Sequence, residues 1–378
     1  MKNVSKVYFP NLNGLRFLAA ILVVICHIEQ FKNIKNLPNI WLESEPIRRL
    51  GEMGVILFFV LSGFLITYLL LAEESKTNNI NIIKFYIRRA LRIWPLYFLI
   101  VGLAFFVLPY ITEMVWPGKS FGAEKALNGR LMKVIYFMAF LPNLGLATFG
   151  MVPYASHLWS IGTEEQFYLF WPVLLKVFKN NKIKVLLAIA ILFPIILYFL
   201  QNYYYQESNY KIFIKYLEFF NIDSMAIGGI LSFLHFKKSL FLENFKNSKI
   251  FYISLILVTL GLLFGVKIRY IDHQIYSILF AIIILNLSTN KNLPFSLENK
   301  TFTYLGNISY GIYMWHPIAI FFTLHLALVL GQINNIFIYV LSIVFSISLA
   351  AISYELMEKQ FLKLKDKFTI IASGNNKL

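Results

Sequence analysis

The sequence predicts an all-α fold: a polytopic bundle of about ten transmembrane helices with one additional re-entrant or interfacial segment. Of the 378 residues, 58% are hydrophobic and only 14% are charged, whereas a soluble domain carries about 25% charged residues. Apolar runs of near twenty residues, the length that crosses a bilayer as a helix, recur along the whole chain. These observations exclude ordinary soluble, disordered and collagen-like proteins.

The chain is strongly basic, with 35 Lys and Arg against 19 Asp and Glu, a formal net charge of +16. Because the basic residues lie between apolar runs, membrane lipid and topology explain them, and we expect no nucleic-acid partner. The single cysteine, Cys26, excludes intrachain disulfides and cysteine-built metal sites, and we interpret it as a packing residue. We see no removable signal peptide, since the first apolar run is the first span itself.

The distribution of Lys and Arg tests the number of crossings, because these residues concentrate on the cytoplasmic side. If the N-terminus is inside and every run crosses, the basic connections Lys176–Lys184 and Lys237–Lys249 lie outside, as does the basic C-terminal tail. Removing one crossing between residues 93 and 176 returns all of them to the cytoplasm. The eleven candidate runs are 14–31, 50–72, 94–113, 131–150, 157–178, 183–202, 217–236, 249–266, 270–289, 304–330 and 335–357.

The weakest candidate span is 131–150. It contains Pro142, Asn143, Gly145 and Gly150, which interrupt a helix and leave backbone groups that need partners. We therefore predict that this run is re-entrant or lies at the outer interface. Ten crossings follow, with both termini in the cytoplasm.

The domain organisation is simple, because no linker, low-complexity stretch or convincing internal repeat interrupts the chain. We predict one membrane-embedded domain over residues 1–378, with residues 358–378 as a short basic cytoplasmic tail. Residues 80–92 are predicted to form an amphipathic cytoplasmic helix that enters the third span.

The first span contains two ionisable residues, Arg16 and His27. Such groups are costly inside a membrane, so each is a candidate for function. Eleven residues are about three helical turns, so both side chains share one helix face, roughly 16 Å apart along the axis. The alternative is a snorkelling arginine and a hydrogen-bonded core histidine.

Glu164 and Glu165 lie at the start of a later span. Adjacent helical residues point about 100° apart, so one carboxylate can face His27 while the other faces the interface. A glutamate paired with a histidine orients the imidazole and raises its basicity. The alternative is that both carboxylates are interfacial and solvated.

Three arginines, Arg88, Arg89 and Arg92, crowd the cytoplasmic end of the third span. Arg89 and Arg92 are three residues apart and share a helix face, where two guanidinium groups suit phosphates. Composition alone favours the alternative, anchoring to anionic lipid.

Other ionisable residues are less informative. His316, in the middle of a long apolar run, and Glu355 are each either structural or functional, and Asp223 is expected to face a cavity. No zinc-type constellation or nucleotide-binding motif stands in a supporting context, so we expect no metal. Four further histidines near span ends are expected to be wet and interfacial: His157, His235, His273 and His325.

Five segments between residues 14 and 317 together resemble the acyltransferase-3 family of integral membrane acyltransferases. In chain order they are GLRFLAAILVVICH, FFVLSGFLIT, RRALRIWPLY, LWSIGTEEQFYLFWP and ISYGIYMWHP. The resemblance implies ten transmembrane helices in a bacterial inner membrane, acyl-CoA used from the cytoplasm, and an acceptor modified on the far side. Such acceptors are mostly carbohydrates, including lipopolysaccharide, peptidoglycan and capsule, with some small molecules.

The resemblance also implies roles for individual residues. Many relatives add an extracytoplasmic hydrolase-like domain; this sequence ends soon after the last span, so we expect transfer to the acceptor to be direct. The positions that match are Arg16 and His27 for the catalytic motif, Arg89 and Arg92 for the basic pair, and Glu164, with Glu165 less securely, for the acidic position of WSxxxE.

The predicted function is O-acyl transfer, with acetyl-CoA as the expected donor and an extracytoplasmic carbohydrate hydroxyl as acceptor. Acyl transfer needs a base for the hydroxyl and stabilisation of the oxyanion. We expect His27 to be the base and Glu164 its orienting partner, while Arg89 and Arg92 hold the phosphates of coenzyme A. Arg16 either binds phosphate or stabilises charge.

Several alternatives stay open at this point. An acyl-histidine intermediate on His27 is one. A transporter or flippase of a lipid-linked or glycan substrate is another, because it also needs intramembrane charges and broken helices, although it usually shows paired repeats. The acceptor hydroxyl and the oligomeric state are open, and an oligomer is possible.

Overall fold

Helices account for nearly all the regular structure in the computed structural model, which describes residues 5–115, 129–205 and 207–374. The helices are α1 Leu12–Ile34, α2 Glu45–Thr77, α3 Ile82–Gly102, α4 Leu108–Val115, α5 Arg130–Met138, α6 Pro142–Phe149, α7 Trp159–Val177, α8 Lys182–Tyr203, α9 Ser208–Glu218, α10 Ile222–Phe236, α11 Leu240–Glu243, α12 Ser248–Leu263, α13 Asp272–Thr289, α14 Lys300–Asn307, α15 Ser309–Val329, α16 Asn335–Ser353 and α17 Lys359–Asp366. Other short elements are π-helical turns at Leu103–Val107 and Tyr354–Glu358, a 3₁₀ turn at Ser156–Leu158, and strands β1 Ser5–Val7 and β2 Ile371–Ser373.

The predicted helical membrane bundle is confirmed. Within the described residues, seven helical stretches are long and apolar enough to cross a membrane. They are α1, α2, α3 with most of α4, α8, α9 with α10, α15, and α16 with α17. The three remaining predicted spans are occupied by α7, α12 and α13, which are shorter or more polar.

The run 131–150 forms two short helices, α5 and α6, instead of one crossing helix. The turn between them places Phe140 in the left-handed region, with φ of 56°. Its ring packs on Tyr97 and Trp94, at centroid distances of 4.6 and 5.4 Å, and its carbonyl accepts a hydrogen bond from Gln166 Nε2. The chain therefore turns back between α3 and α7 instead of crossing as one helix.

Ion pairs between connections fix which ends of the helices lie together. Lys182 Nζ lies 2.9 Å from Glu74, and Lys176 Nζ donates to the carbonyl of Ile80. The Lys176–Lys184 connection therefore lies beside the one that follows α2. This agrees with ten crossings, because an eleventh between them would put these connections at opposite ends of the bundle.

Cysteine labelling tests this topology in cells. We expect Glu207→Cys, in a connection predicted to lie outside, to react with a membrane-impermeant maleimide in intact cells, and Asn180→Cys to react only after permeabilisation. Both positions are exposed, while the native Cys26 is buried and gives little background. Equal labelling of both variants in intact cells would contradict the ten-crossing arrangement.

Helix α2 is the centre of the bundle and packs closely against α10 through two glycines. A Cβ atom on Gly63 would lie 2.0 Å from the carbonyl oxygen of Met225, and one on Gly228 would lie 2.1 Å from that of Val60. No other residue type fits such a backbone contact without moving a helix. The contact leaves the adjacent Ser62 facing α7, where it takes part in the site described below.

The predicted basic tail is folded. Helix α17 packs along α3, and β2 pairs in parallel with β1, with Ser5 opposite Ile371. The two strands were not predicted, because three residues carry too little alternation to be recognised. Residues 375–378 of the tail, and residues 1–4 at the other end, lie outside the described part of the chain.

Candidate active site

The candidate site lies inside the bundle, between α1, α2, α3, α7 and α15, and has two levels. As their spacing predicted, Arg16 and His27 both project from α1 into the interior, where each keeps some accessible surface. His27 meets a cluster of histidines, while Arg16 meets a cluster of arginines and a carboxylate.

His27 is paired with His316 of α15. The Nδ1 atom of His27 lies 2.7 Å from Nε2 of His316, and the two rings are nearly parallel, with an interplanar angle of 9°. His316 is fully buried, with 0% exposure, whereas His27 is only partly buried. The two histidines therefore form a unit whose accessible member is His27.

The residue that follows His316 explains its orientation. Pro317 lies inside α15 and has no backbone N–H, so the carbonyl of Tyr313, four residues earlier, lacks its helical donor. His316 Nδ1 lies 2.6 Å from that carbonyl oxygen and takes the vacant place. Pro317 thus leaves a carbonyl oxygen free, and the hydrogen bond to that oxygen fixes the orientation of the His316 imidazole.

These contacts determine the tautomers of both neutral rings. A carbonyl can only accept, so His316 carries its proton on Nδ1 and presents the lone pair of Nε2. His27 Nδ1 must then be the donor to His316, which leaves the lone pair of His27 on Nε2. Nε2 of His27 is consequently available to accept a proton from another group.

His157 lies beside this pair, contrary to the expectation of a wet interfacial histidine. Its side chain is only 4% exposed, and its ring is 5.1 Å from that of His316. Its backbone carbonyl accepts hydrogen bonds from Tyr313 Oη and Ser160 Oγ. The prediction was wrong because a 3₁₀ turn folds the chain before α7 into the bundle, which no periodicity in the sequence reveals.

Glu164 does not pair with His27, so the expected orienting partner is replaced by His316. The carboxylate accepts hydrogen bonds from Ser62 Oγ at 2.9 Å and from Tyr168 Oη at 2.8 Å. The carboxylate also lies within electrostatic range of Arg16. Glu164 therefore belongs to the cationic level of the site.

Glu165 points away from Glu164, as adjacent helical positions predict. It accepts a hydrogen bond from Trp94 Nε1 at 2.8 Å, and its other oxygen is buried without a partner among the described residues. Arg89 lies within electrostatic range of this carboxylate.

The cationic level collects positive charges from three parts of the chain. Arg16, Arg89 and Arg92 lie within electrostatic range of one another. The tail adds Lys365 of α17, close to Arg92 and Arg89, which we had not predicted. No ion pair joins any of these four cations to a carboxylate within the described residues.

Aromatic rings hold the side chain of Arg89 in place, and not all of its N–H groups donate a hydrogen bond. Its guanidinium lies over the rings of Phe85 and Tyr168, at 5.6 and 5.8 Å, an arrangement that stabilises a cation while leaving its N–H groups directed elsewhere. Its Nε atom is buried and meets no acceptor among the described residues. An anionic ligand would supply the missing acceptor.

Arg88, which we had grouped with this cluster, makes structural contacts instead. It forms a buried ion pair with Glu73 at 2.9 Å and donates to the carbonyl of Phe368. Glu73 also accepts from the backbone N–H of Asn81. Arg88 therefore ties the start of α3 to α2 and to the tail.

A family model described as an acyltransferase domain, that of the acyltransferase-3 family, matches residues 9–355. The chain belongs to the acyltransferase-3 family. It is 28% identical over 382 residues to the O-acetyltransferase OatA of Staphylococcus aureus strain NCTC 8325, and equally to that of strain COL. Each alignment covers 96% of this chain but 58% of the relative, so the chain spans little more than half the length of these curated proteins. No solved structure matches.

The motifs of this acyltransferase-3 chain meet at the two levels of the site. The first and last motifs supply His27 and His316, and the second supplies Ser62, which holds Glu164 of the fourth. The third motif supplies Arg89 and Arg92. The sequence contained no signal for Lys365, because the tail has the composition of an ordinary basic terminus.

Proposed function

We propose that this member of the acyltransferase-3 family moves an acyl group, acetyl in the first instance, from acyl-CoA at the cytoplasmic face to a hydroxyl of an extracytoplasmic carbohydrate. The observation that carries the proposal is the His27–His316 pair, whose hydrogen bonds leave a lone pair on His27 Nε2 inside the bundle. The protein would act in a bacterial inner membrane with both termini in the cytoplasm.

The cationic level fits the phosphates of coenzyme A. Four cations of this level lack ion-pair partners among the described residues: Arg16, Arg89, Arg92 and Lys365. A planar guanidinium group can donate two parallel hydrogen bonds to two oxygens of one phosphate. Eleven residues of α1 separate Arg16 from His27, roughly 16 Å along the helix. The thin pantetheine arm of the donor would span this interval, with the nucleotide left at the cytoplasmic mouth.

The proposed reaction at His27 is direct transfer. The acceptor hydroxyl gives its proton to His27 Nε2 as its oxygen attacks the thioester carbonyl carbon. The carbon–sulfur bond then breaks, and the sulfur leaves with the proton returned by His27. While His27 is charged, its Nδ1–H bond to His316 becomes charge-assisted and stabilises the imidazolium.

The acyl-histidine route differs in its first step, because His27 Nε2 itself attacks the thioester and releases the thiolate before the acceptor arrives. Rapid quenching in denaturant at neutral pH, after brief incubation with labelled acetyl-CoA, distinguishes the routes, because an acyl-imidazole is hydrolysed quickly in acid. Label on the protein that is lost from a His27→Gln variant supports the covalent route, while label on glycan alone supports direct transfer.

The same incubation tests the proposed function. Purified protein in nanodiscs is mixed with acetyl-CoA labelled in the acetyl group and with envelope glycans from the host. Labelled glycan or release of free coenzyme A is the expected result. If the protein in vesicles moves a glycan across the membrane without transferring label, the transporter alternative is correct.

We propose that His316 positions His27, so different substitutions of His316 should lower the activity to different degrees. His316→Ala should lower kcat by about 10–100-fold, because the ring that fixes the His27 tautomer is gone, while the dissociation constant for acyl-CoA stays unchanged. His316→Gln should retain more activity, since its amide oxygen can accept from His27 Nδ1. Equal loss in both variants, accompanied by weaker donor binding, would indicate a packing role only.

Lys365 is proposed to add a fourth cation to the donor site. Lys365→Ala should weaken acyl-CoA binding about fivefold, the effect of one partly exposed charge. Lys363→Ala is the matched control, since Lys363 is exposed on the same helix. Indistinguishable acyl-CoA affinities in the two variants, measured by titration calorimetry, would remove Lys365 from the site.

A further inference from the structure

A second polar space lies at the outer end of the bundle, between the ends of α2, α8, α10 and α13. It is a cavity of about 590 Å³, within the range of roughly 300–1,000 Å³ that is usual for ligand sites. No residue of the histidine or cationic levels lines it. The proposed chemistry above leaves it without a role.

The buried wall of the cavity contains polar groups that are incompletely satisfied. Asp223 lines this cavity and is 1% exposed. It accepts a hydrogen bond from Gln274 Nε2. The other end of that amide, Gln274 Oε1, is buried and meets no donor among the described residues. A ligand hydroxyl would supply the donor.

The charges at the floor of the cavity already compensate one another. Arg49 lies 2.6 Å from Asp272, and Glu52 lies 2.5 Å from His273. Glu52, Asp272 and His273 come close enough together to hold a metal ion, but the guanidinium of Arg49 provides the positive charge at this position. The rest of the lining adds the acidic Glu218 and the basic Lys267 and Arg269. Because both signs of charge face the cavity, the lining favours an uncharged polar ligand over an ion.

The open side of the cavity is aromatic. Tyr198 and Tyr270 meet edge to face at 4.6 Å, Tyr270 Oη donates to Asn202, and Tyr205 completes this side. Tyrosine rings offer flat apolar faces, and amides offer a donor and an acceptor side by side. Sugars present the matching chemistry, a C–H face together with several hydroxyls.

The cavity lies at the same height in the bundle as His27. Gly51, next to Glu52, is packed so closely on Cys26 that a Cβ atom would lie 2.6 Å from its Sγ atom. Between the lining residues Glu218 and Asn221, Phe219 turns its ring onto Trp159, at 5.2 Å, two residues after His157. An aromatic layer thus stands between the cavity and the histidines.

We propose that this cavity is a carbohydrate subsite that holds a neutral sugar unit of the acceptor chain while a hydroxyl on another unit of the same chain reaches His27. This inference rests on the proposed function for the identity of the acceptor. It adds a binding site at a distance from the reacting atoms, built by Asp223, Gln274 and the tyrosines.

The test is direct sugar binding by the full chain in nanodiscs, measured by saturation-transfer NMR with maltotriose, N,N′,N″-triacetylchitotriose and an acidic hyaluronan oligosaccharide. We expect a neutral sugar to bind best. Gln274→Leu and Tyr205→Ala should each weaken it about tenfold, since each removes a contact but neither belongs to the donor site. Tyr252→Ala, an exposed tyrosine of α12 outside the cavity, is the matched control.

Each outcome decides a different question. Absence of binding by all three sugars at millimolar concentration, binding that neither cavity variant weakens, or tighter binding of the acidic sugar than of either neutral one overturns the neutral-sugar subsite. Saturable Mn²⁺ binding that Asp272→Asn abolishes, without sugar binding, would make it a cation site instead. Sugar binding that the cavity variants weaken, in a protein that neither binds nor consumes acyl-CoA, keeps the subsite and refutes acyl transfer.

Discussion

Replacing His27 with alanine is expected to lower acyl transfer by a factor on the order of 10²–10⁴, the usual contribution of a general base. Binding of acyl-CoA should persist, because the cations that we propose for its phosphates lie at the other level of the site. The measurement is the rate of labelled glycan formation, with acyl-CoA affinity determined on the same preparation.

His27→Gln sharpens this prediction. Glutamine keeps a polar side chain that can donate to His316, but it cannot accept a proton near neutral pH, so it should rescue folding and not activity. His325→Ala, nine residues beyond His316 on α15, is the matched control and should transfer at the wild-type rate. Transfer at that rate by either His27 variant would make His27 a core histidine and would direct attention to His157.

The double variant Arg89→Ala with Arg92→Ala should weaken acyl-CoA binding about a hundredfold. Each arginine is expected to contribute a charge-assisted hydrogen bond, worth about 1.5–3 kcal/mol, and neighbouring contributions are not fully additive. The rate at saturating donor should change much less than the affinity. Titration calorimetry with acetyl-CoA and with free coenzyme A measures the loss, and both ligands should be affected alike.

Two further variants distinguish a role of Arg89 and Arg92 in acyl-CoA binding from a role in anchoring the helix. Lys84→Ala removes an exposed cation from the same helix and should leave the affinity unchanged. Arg88→Ala should lower thermal stability instead, because it leaves Glu73 buried without its partner. Normal acyl-CoA binding by the double variant would show that Arg89 and Arg92 are only topological anchors.

The sequence predicts the elements of this protein well and their contacts only in part. Span positions follow from runs of apolar residues, and the placement of Arg16 and His27 on one face follows from helical geometry alone. The interruption of the helix at Pro142 could be predicted for the same reason, because proline breaks a helix through its own ring and its missing backbone N–H. Each of these features depends on residues close together in the chain.

The contacts that the sequence left undetermined join distant residues. His27 meets His316 across 289 positions, and nothing in either span indicates which carboxylate or imidazole will be its neighbour. Glu164 was the expected partner because a carboxylate commonly orients a histidine. In the structure Ser62 Oγ donates a hydrogen bond to Glu164 instead. Gly63, beside that serine, and Gly228 of α10 bring α2 and α10 into contact, and this leaves Ser62 facing α7.

The pairing of β1 with β2 has a consequence for the order in which this protein is made. All of the described helices lie between Ser5 and Ile371, so the two strands can join only after every one of these helices has left the ribosome. Helix α17, which carries Lys365, immediately precedes β2 and reaches its place beside α3 at the same late stage. A nascent chain that lacks α17 therefore displays an incomplete set of cations, and full affinity for a polyanion would develop only after β2 has paired with β1.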